Sequence, residues 1–171
     1  MLAGGAASRF GSDKTQFPLG GVRLLDRVLR AVRDAADLIV VGDERPTATP
    51  VTWVREDPPG SGPANSVVAA LPRVRTERVV LLAGDLPFVE PRTVRRLLSA
   101  NGGGVLVDAD GNEQYLCSAV RTADLQSAAD GGQWSQRSVR ALLAPLDLQP
   151  VRAVGREAHD VDTPDDVPSD L

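Results

Sequence analysis

The run RVVLL, from Arg78 to Leu82, is the segment that most restricts how this chain folds. An almost continuous apolar run of strand length is the mark of a strand covered on both faces, as in a parallel sheet. Strand-like and helix-like segments alternate around it. Leu24, Leu25, Val28, Leu29 and Val32 recur at helical spacing, with Arg and Asp between them. DLIVV, ending at Val41, and VTWV (Val51 to Val54) read as strands. One helix is expected from near Ala64 to Leu71, and another from Pro91 through Leu98, since proline suits a first turn. GVLV (Gly104 to Val107), YLCSAV (Tyr115 to Val120) and VRAV (Val151 to Val154) read as further strands, and Ser138 to Leu143 as a helix. Thr163 before Pro164, Asp165 and Asp166 makes a helix start with acids in its first turn. EDPPGSGP (Glu56 to Pro63) is a loop, and NGGG (Asn101 to Gly104) turns a helix into a strand. This order builds βαβ units. It predicts an α/β fold in three layers, with a mostly parallel sheet flanked by helices. There is no internal repeat, and no linker is long enough to separate a second domain.

Open α/β sheets bind ligands beyond the carboxyl ends of their strands. The stretch LAGGAASRFGSDKTQF, from Leu2 to Phe17, suits that position. Gly4, Gly5 and Gly11 let the backbone approach a ligand closely. Successive N–H groups in such a loop form an anion-binding nest, and Arg9 and Lys14 add two positive charges. The reading is a cradle for a nucleotide's phosphates. The spacing is neither that of a P-loop nor that of a dinucleotide fingerprint. The alternative is an ordinary glycine-rich turn with two solvated cations.

Asp85 follows the apolar strand directly, held between Gly84 and Pro87. A carboxylate at a strand tip suits Mg²⁺, a hard cation that takes carboxylate, phosphate and water oxygens. An Asx turn is the competing role. In DVDTPDD, Asp160 and Asp162 face one way if the segment is extended, so both can address one metal, or one can cap the next helix. Asn65 suits a base, a ribose or a helix N-cap. Arg137 and Arg140, one helical turn apart, suit either an anionic acceptor or a solvated face, and Arg121 has the same two readings. His159 has no Ser or Cys nucleophile beside it, and Cys117 and the two tryptophans, Trp53 and Trp134, read as packing residues.

Composition narrows the function. Hydrophobic residues make up 42% of the 171 and charged residues 25%, which suits one globular domain. Aromatics are 4%, so the core must be aliphatic. The net charge is -4 with no basic block, which argues against nucleic acid and anionic membranes. A single cysteine excludes an internal disulfide and a cysteine zinc cluster. With no signal peptide or long apolar run visible, the cytoplasm is the expected compartment.

At these residues the chain resembles the nucleotidyltransferases of the molybdenum cofactor pathway, the MobA-like family. LAGGAASRFGSDK is similar to the family's L-A-G-G-x-S-x-R-M-G-x-D-K, with Phe10 in place of Met. GPANSVVAAL (Gly62 to Leu71) looks like its G-P-L-A-G segment, VVLLAGDLPFV (Val79 to Val89) like its strand ending in an aspartate, and DVDTPDDV (Asp160 to Val167) like its closing motif. The motifs occur in the family's order. The resemblance implies a Rossmann-like nucleotidyltransferase fold, with residues 1–171 forming one NTP transferase domain. It implies guanylyl transfer from GTP to molybdopterin with Mg²⁺, catalysed by Arg9, Lys14 and Asp85. The nucleotide would be held by Leu2, Ala3, Gly4, Gly5, Arg9, Lys14, Asp57, Gly62, Pro63 and Asp85, and the metal by Asp85 and Asp162. It also implies contacts with molybdoenzymes or other proteins of the pathway. CTP in place of GTP, another small phosphorylated acceptor, and a non-catalytic module that delivers the cofactor stay open. Asn65 and Ser66 stand where the family has small or apolar residues, close to the nucleotide. Of the family's buried first strand only Leu2 and Ala3 are present. Losing about three buried aliphatics costs on the order of 5–9 kcal/mol, against a whole domain's roughly 5–15 kcal/mol. The natural protein is therefore expected to begin several residues upstream of Met1.

Overall fold

A computed structural model of the chain describes residues 1–3, 14–161 and 166. A short hairpin, β1 (Pro18–Leu19) and β2 (Val22–Arg23), leads into α1 (Leu24–Ala31). Then follow β3 (Ile39–Val41), β4 (Thr52–Val54), α2 (Pro63–Ala70), β5 (Arg78–Leu82) and α3 (Pro91–Ser99). The chain continues through β6 (Gly103–Val107), β7 (Glu113–Arg121), α4 (Thr122–Ala129), α5 (Val139–Leu143) and β8 (Gln149–Arg152).

Leu2 joins the strands into one sheet. It bridges Val41, at the end of β3, and Ala83, just after β5, both in parallel. With the pairs β3–β4, β5–β7, β7–β6 and β6–β8, the order runs β4, β3, Leu2, β5, β7, β6, β8. Only β7 runs against the others in this sheet, pairing antiparallel with both β5 and β6. The fold is α/β, with helices on both faces. Val28 of α1 and Val94 and Leu97 of α3 pack with Leu82, Leu106 and Cys117. Val67 of α2, Leu125 of α4, and Leu142 and Leu143 of α5 pack with Leu81 and Val120 on the other face. The leucines carry this core, as the low aromatic content requires.

Local chemistry accounts for the element ends. α3 has a reciprocal capping box: Glu90 and Thr93 each accept a hydrogen bond from the other's backbone N–H, with Pro91 at the first turn. Ser138 caps α5 by accepting from the Ala141 N–H. At Gly103 a Cβ would stand 2.6 Å from the Ala119 oxygen, so β6 can enter beside β7 only with glycine there.

Two expectations are corrected by the topology. β5 is parallel to its neighbour on one side only, because β7 meets it antiparallel on the other. Nor is it covered along its length. Leu81 and Leu82 are buried, whereas Arg78, Val79 and Val80 are half-buried, since they flank an apolar cavity of about 650 Å³. The expected helix start at Thr163 falls outside the described residues. No helix among the described residues is long and apolar enough to cross a membrane.

The segment after β8 is tied back by one buried carboxylate. Glu157, 2% exposed, accepts from Thr93 Oγ1 at 2.6 Å and from the Val154 N–H at 2.8 Å, and pairs with Arg96. Burial alone would raise this carboxyl, but the bonds from Thr93 and Val154 and the Arg96 guanidinium hold it below its ordinary value. The ionised form therefore stabilises the fold. That contribution is complete above the unfolded carboxyl's pKa of about 4.3 and is lost as pH falls through the lowered folded value. Glu157→Gln is expected to lose on the order of 2 kcal/mol at pH 7, with the gap to the parent narrowing under pH 4. Urea melts at both pH values check this, and a gap independent of pH would contradict it.

Candidate active site

The parallel strands deliver their loops to one edge of the sheet. Ala3 ends the strand that leads into residues 4–13, and Gly42, Arg55 and Ala83 leave β3, β4 and β5 at the same edge. Gly84 makes the crowding there possible. Its N–H donates to the Leu2 carbonyl at 2.8 Å. A Cβ on it would stand 3.2 Å from that oxygen and 3.4 Å from Thr15 Cγ2. With no side chain at 84, the turn after β5 lies flat against Leu2 and Thr15, and Asp85 comes next.

Lys14 opens a 3₁₀ turn, Lys14–Gln16, and its Nζ lies 2.6 Å from Asp85 Oδ2. The two side chains are 24% and 21% exposed, so the pair is partly shielded yet open to a ligand. Residues 71 positions apart thus form one charged corner. Thr15 Oγ1 accepts from Arg45 at 2.8 Å, and the Arg45 guanidinium lies over the Trp53 ring, 5.6 Å from its centroid. Gln16 Nε2 is buried with no hydrogen-bond partner among the described residues. A buried amide donor without a partner is costly, and this one lies two residues from Lys14.

The Asp85 carbonyl accepts from the Val161 N–H at 3.0 Å. Val161 is fully buried with Leu19 and Leu24, so the closing segment is fixed against Asp85 one residue before Asp162. Arg9, Gly4, Gly5 and Asp162 lie outside the described residues. Leu2 and Ala3 are the strand between β3 and β5. Both backbone groups of Leu2 are bonded within the sheet, and the Ala3 N–H donates to the Val41 carbonyl.

Asp57, Gly62 and Pro63 lie on the loop after β4. Pro63 is the first residue of α2, and Gly62 precedes it at φ +97°. Asn65 is not a cap. It sits inside the first turn and donates to Ser61 Oγ at 2.7 Å and to the Asp57 carbonyl at 3.3 Å, bracing this loop. Gln136 braces it from the other side, donating through its N–H to the Ser61 carbonyl and through Nε2 to the Gly60 carbonyl. Arg121 ends β7 at the opposite edge, paired with Asp124 at 2.7 Å. His159 packs against Phe88, with ring centroids 5.7 Å apart. Burial pushes the Cys117 thiol up to about 12, which leaves it protonated and unreactive.

The donor set fits a hard cation. Among the described residues no three His, Cys, Asp or Glu side chains converge on a metal position. The Asp85 carboxylate suits an ion that also takes phosphate and water oxygens. Thr15, Arg45, Gln16 and Gln136 reach this edge without a sequence motif. Only the place of Thr15 and Gln16 directly after Lys14 could have signalled them.

The fold is that of a nucleotidyltransferase. A nucleotidyl transferase from Methanothermobacter thermautotroptrophicus (Mth528) superposes with a TM-score of 0.76 at 23% identity, over 96% of this chain and 91% of that one. The chain belongs to the MobA-like NTP transferase family, whose domain matches residues 1–153. It is 32% identical over 157 residues to a probable molybdenum cofactor guanylyltransferase of Opitutus terrae, covering 84% of this chain and 77% of the relative. It is also 34% identical over 122 residues to the bifunctional protein GlmU of Coxiella burnetii, covering 63% of this chain. The match spans 27% of that relative's length.

Gly62 tests the brace on the pocket loop. A Cβ there would stand 3.2 Å from the Gln136 Cα, at a φ that side chains avoid. Gly62→Ala is expected to cost about 1–3 kcal/mol and to expose residues 56–62 to proteolysis. Thermal unfolding and limited digestion measure this, and an unchanged pattern in both would show that the loop does not rely on this contact.

Proposed function

We propose that this protein transfers the guanylyl group of GTP to molybdopterin and releases pyrophosphate. The observation that carries the reading is the Lys14–Asp85 pair, 2.6 Å apart at the carboxyl edge of the sheet. The choice of GTP and of a molybdenum cofactor acceptor follows the relative in Opitutus terrae. Asp85, with Asp162 as the second ligand, would hold Mg²⁺, and the ion supplies positive charge at the reacting phosphates. Lys14, Arg9 and the N–H groups of Gly4 and Gly5 bind the triphosphate and offset its charge. Asp57, Gly62 and Pro63 form the wall beside the nucleoside.

A phosphate oxygen of the acceptor attacks the α-phosphorus in line. The bond from that phosphorus to the β-phosphate's bridging oxygen breaks, and pyrophosphate departs with the electron pair. The attacking phosphate is already ionised at neutral pH, so the chemistry needs no strong base. That agrees with a chain whose one histidine packs against Phe88. Catalysis then rests on positioning and charge.

Pyrophosphate release is measured with molybdopterin, Mg²⁺ and each of four nucleoside triphosphates. Release with GTP alone is expected. Release with CTP would move the base assignment, and tight binding without release would make the protein a carrier. Lys14→Ala and Asp85→Ala are each expected to lower turnover at least about a hundredfold. Their thermal midpoints should hardly move, since a partly exposed pair contributes about 0–1 kcal/mol. Normal turnover by Asp85→Ala would end the metal assignment.

A further inference from the structure

Both branches of the Thr15 side chain are engaged. Its methyl faces the turn after β5, 3.4 Å from where a Cβ on Gly84 would stand, and its hydroxyl accepts from Arg45 Nη1 at 2.8 Å. Thr15 is buried. A β-branched side chain held on both branches keeps one staggered rotamer. Thr15 therefore seats the 3₁₀ turn Lys14–Gln16 in one place. On the reading that Lys14 binds the nucleotide's phosphates, we propose that Arg45 is a positioning residue for it: by holding the Thr15 hydroxyl, Arg45 fixes the turn from which Lys14 reaches the triphosphate.

Arg45 is itself seated as a rigid fork. Its Nε donates to the Asp43 carbonyl at 2.8 Å, and its guanidinium lies over the Trp53 ring, 5.6 Å from the centroid. Trp53 packs with Ala3, Leu25 and Val40 and pairs with Val40 across β3 and β4, so the seat is anchored in the sheet. The loop that carries Arg45 is also tied to the start of α1. Arg23 Nη1 donates to the Pro46 carbonyl at 2.6 Å, and the Ala48 N–H donates to Asp26 Oδ1 at 2.8 Å. A guanidinium offers several donors in one plane and a face that stacks on a ring, and this seat uses both. A lysine ammonium cannot meet the three contacts together.

The seat of the turn matters because of what Lys14 does when a ligand arrives. Its Nζ now lies 2.6 Å from Asp85 Oδ2. A nucleotide at this corner replaces that carboxylate with phosphate oxygens. The flexible stem of a lysine does not hold its own direction. Where the ammonium then stands depends on where its backbone is held, and Thr15 holds it. A displacement of about 1 Å can cost on the order of a hundredfold in rate. The bond from Arg45 to Thr15 therefore acts on turnover through the turn, 30 positions away in sequence.

Pyrophosphate release from GTP with Mg²⁺ and molybdopterin is measured for the parent, Thr15→Val, Arg45→Ala and Arg45→Lys, each alone and combined with Lys14→Ala. Thr15→Val keeps the shape of the side chain and removes only the hydroxyl, so it carries the test if Arg45→Ala does not fold. Each of the three is expected to lower kcat about ten- to thirtyfold, with KM for GTP within about threefold of the parent. Arg45→Lys keeps the charge without the fork and is not expected to restore turnover. In the Lys14→Ala background the same substitutions are expected to change kcat less than about twofold, because the group they position is gone. Normal kcat in Thr15→Val would overturn the proposal. So would full activity in Arg45→Lys with KM alone raised in Arg45→Ala, since Arg45 would then be a phosphate contact. An undiminished loss in the Lys14→Ala background would also overturn it, by marking a purely structural role. Normal turnover by Lys14→Ala itself would overturn both this assignment and the phosphate reading beneath it.

Discussion

Three residues, Met1 to Ala3, hold the two halves of this sheet in register. They donate to the Ile39, Leu82 and Val41 carbonyls and accept from the Val41 and Gly84 N–H groups. The β3–β4 pair and the four strands from β5 to β8 share no other bridge among the described residues. The positions of both charged partners follow from this ladder. Asp85 is placed by a turn whose Gly84 lies on Leu2, and Lys14 begins the turn whose Thr15 packs on that same glycine. A shift of one residue along Leu2 would pull the two charges away from each other.

Much of the architecture was legible because hydrophobic pattern and punctuation agree. Pro91, with Glu90 and Thr93 around it, starts a helix for reasons local to those residues. Leu25, Val28 and Leu29 bury one face of α1 because the apolar spacing has the helical period. The direction of β7 was not legible. YLCSAV is as apolar as a parallel strand, and only the short turn from Asp108 to Asn112 makes the chain double back. Asp108 there accepts from the N–H groups of Asp110 and Asn112. The β1–β2 hairpin and α4 also escaped. Two-residue strands have no period to read, and TADLQSAA has a weak amphipathic pattern.

The site was legible to a different depth. Lys14 and Asp85 were each readable as anion and cation ligands from local sequence, but their contact is a tertiary fact that no spacing encodes. Arg45 and Gln136 are further examples. One reaches Thr15 from the loop after β3, and the other reaches Ser61 and Gly60 from the segment before α5. The site is built less by a motif than by several loops meeting at the edge where parallel strands end, as is general for open α/β sheets. Asp85 is fixed by the sheet, and Val161, buried with Leu19 and Leu24, ties the closing segment to the Asp85 carbonyl.

If the corner shared by Lys14 and Asp85 receives a nucleoside triphosphate, a crystal structure with a non-hydrolysable GTP analogue and Mg²⁺ will reveal it. The expected result is the triphosphate against Lys14 and the metal on an Asp85 oxygen, with the ion pair between them opened. Nucleotide bound elsewhere, or this corner unchanged at saturating analogue, would contradict it.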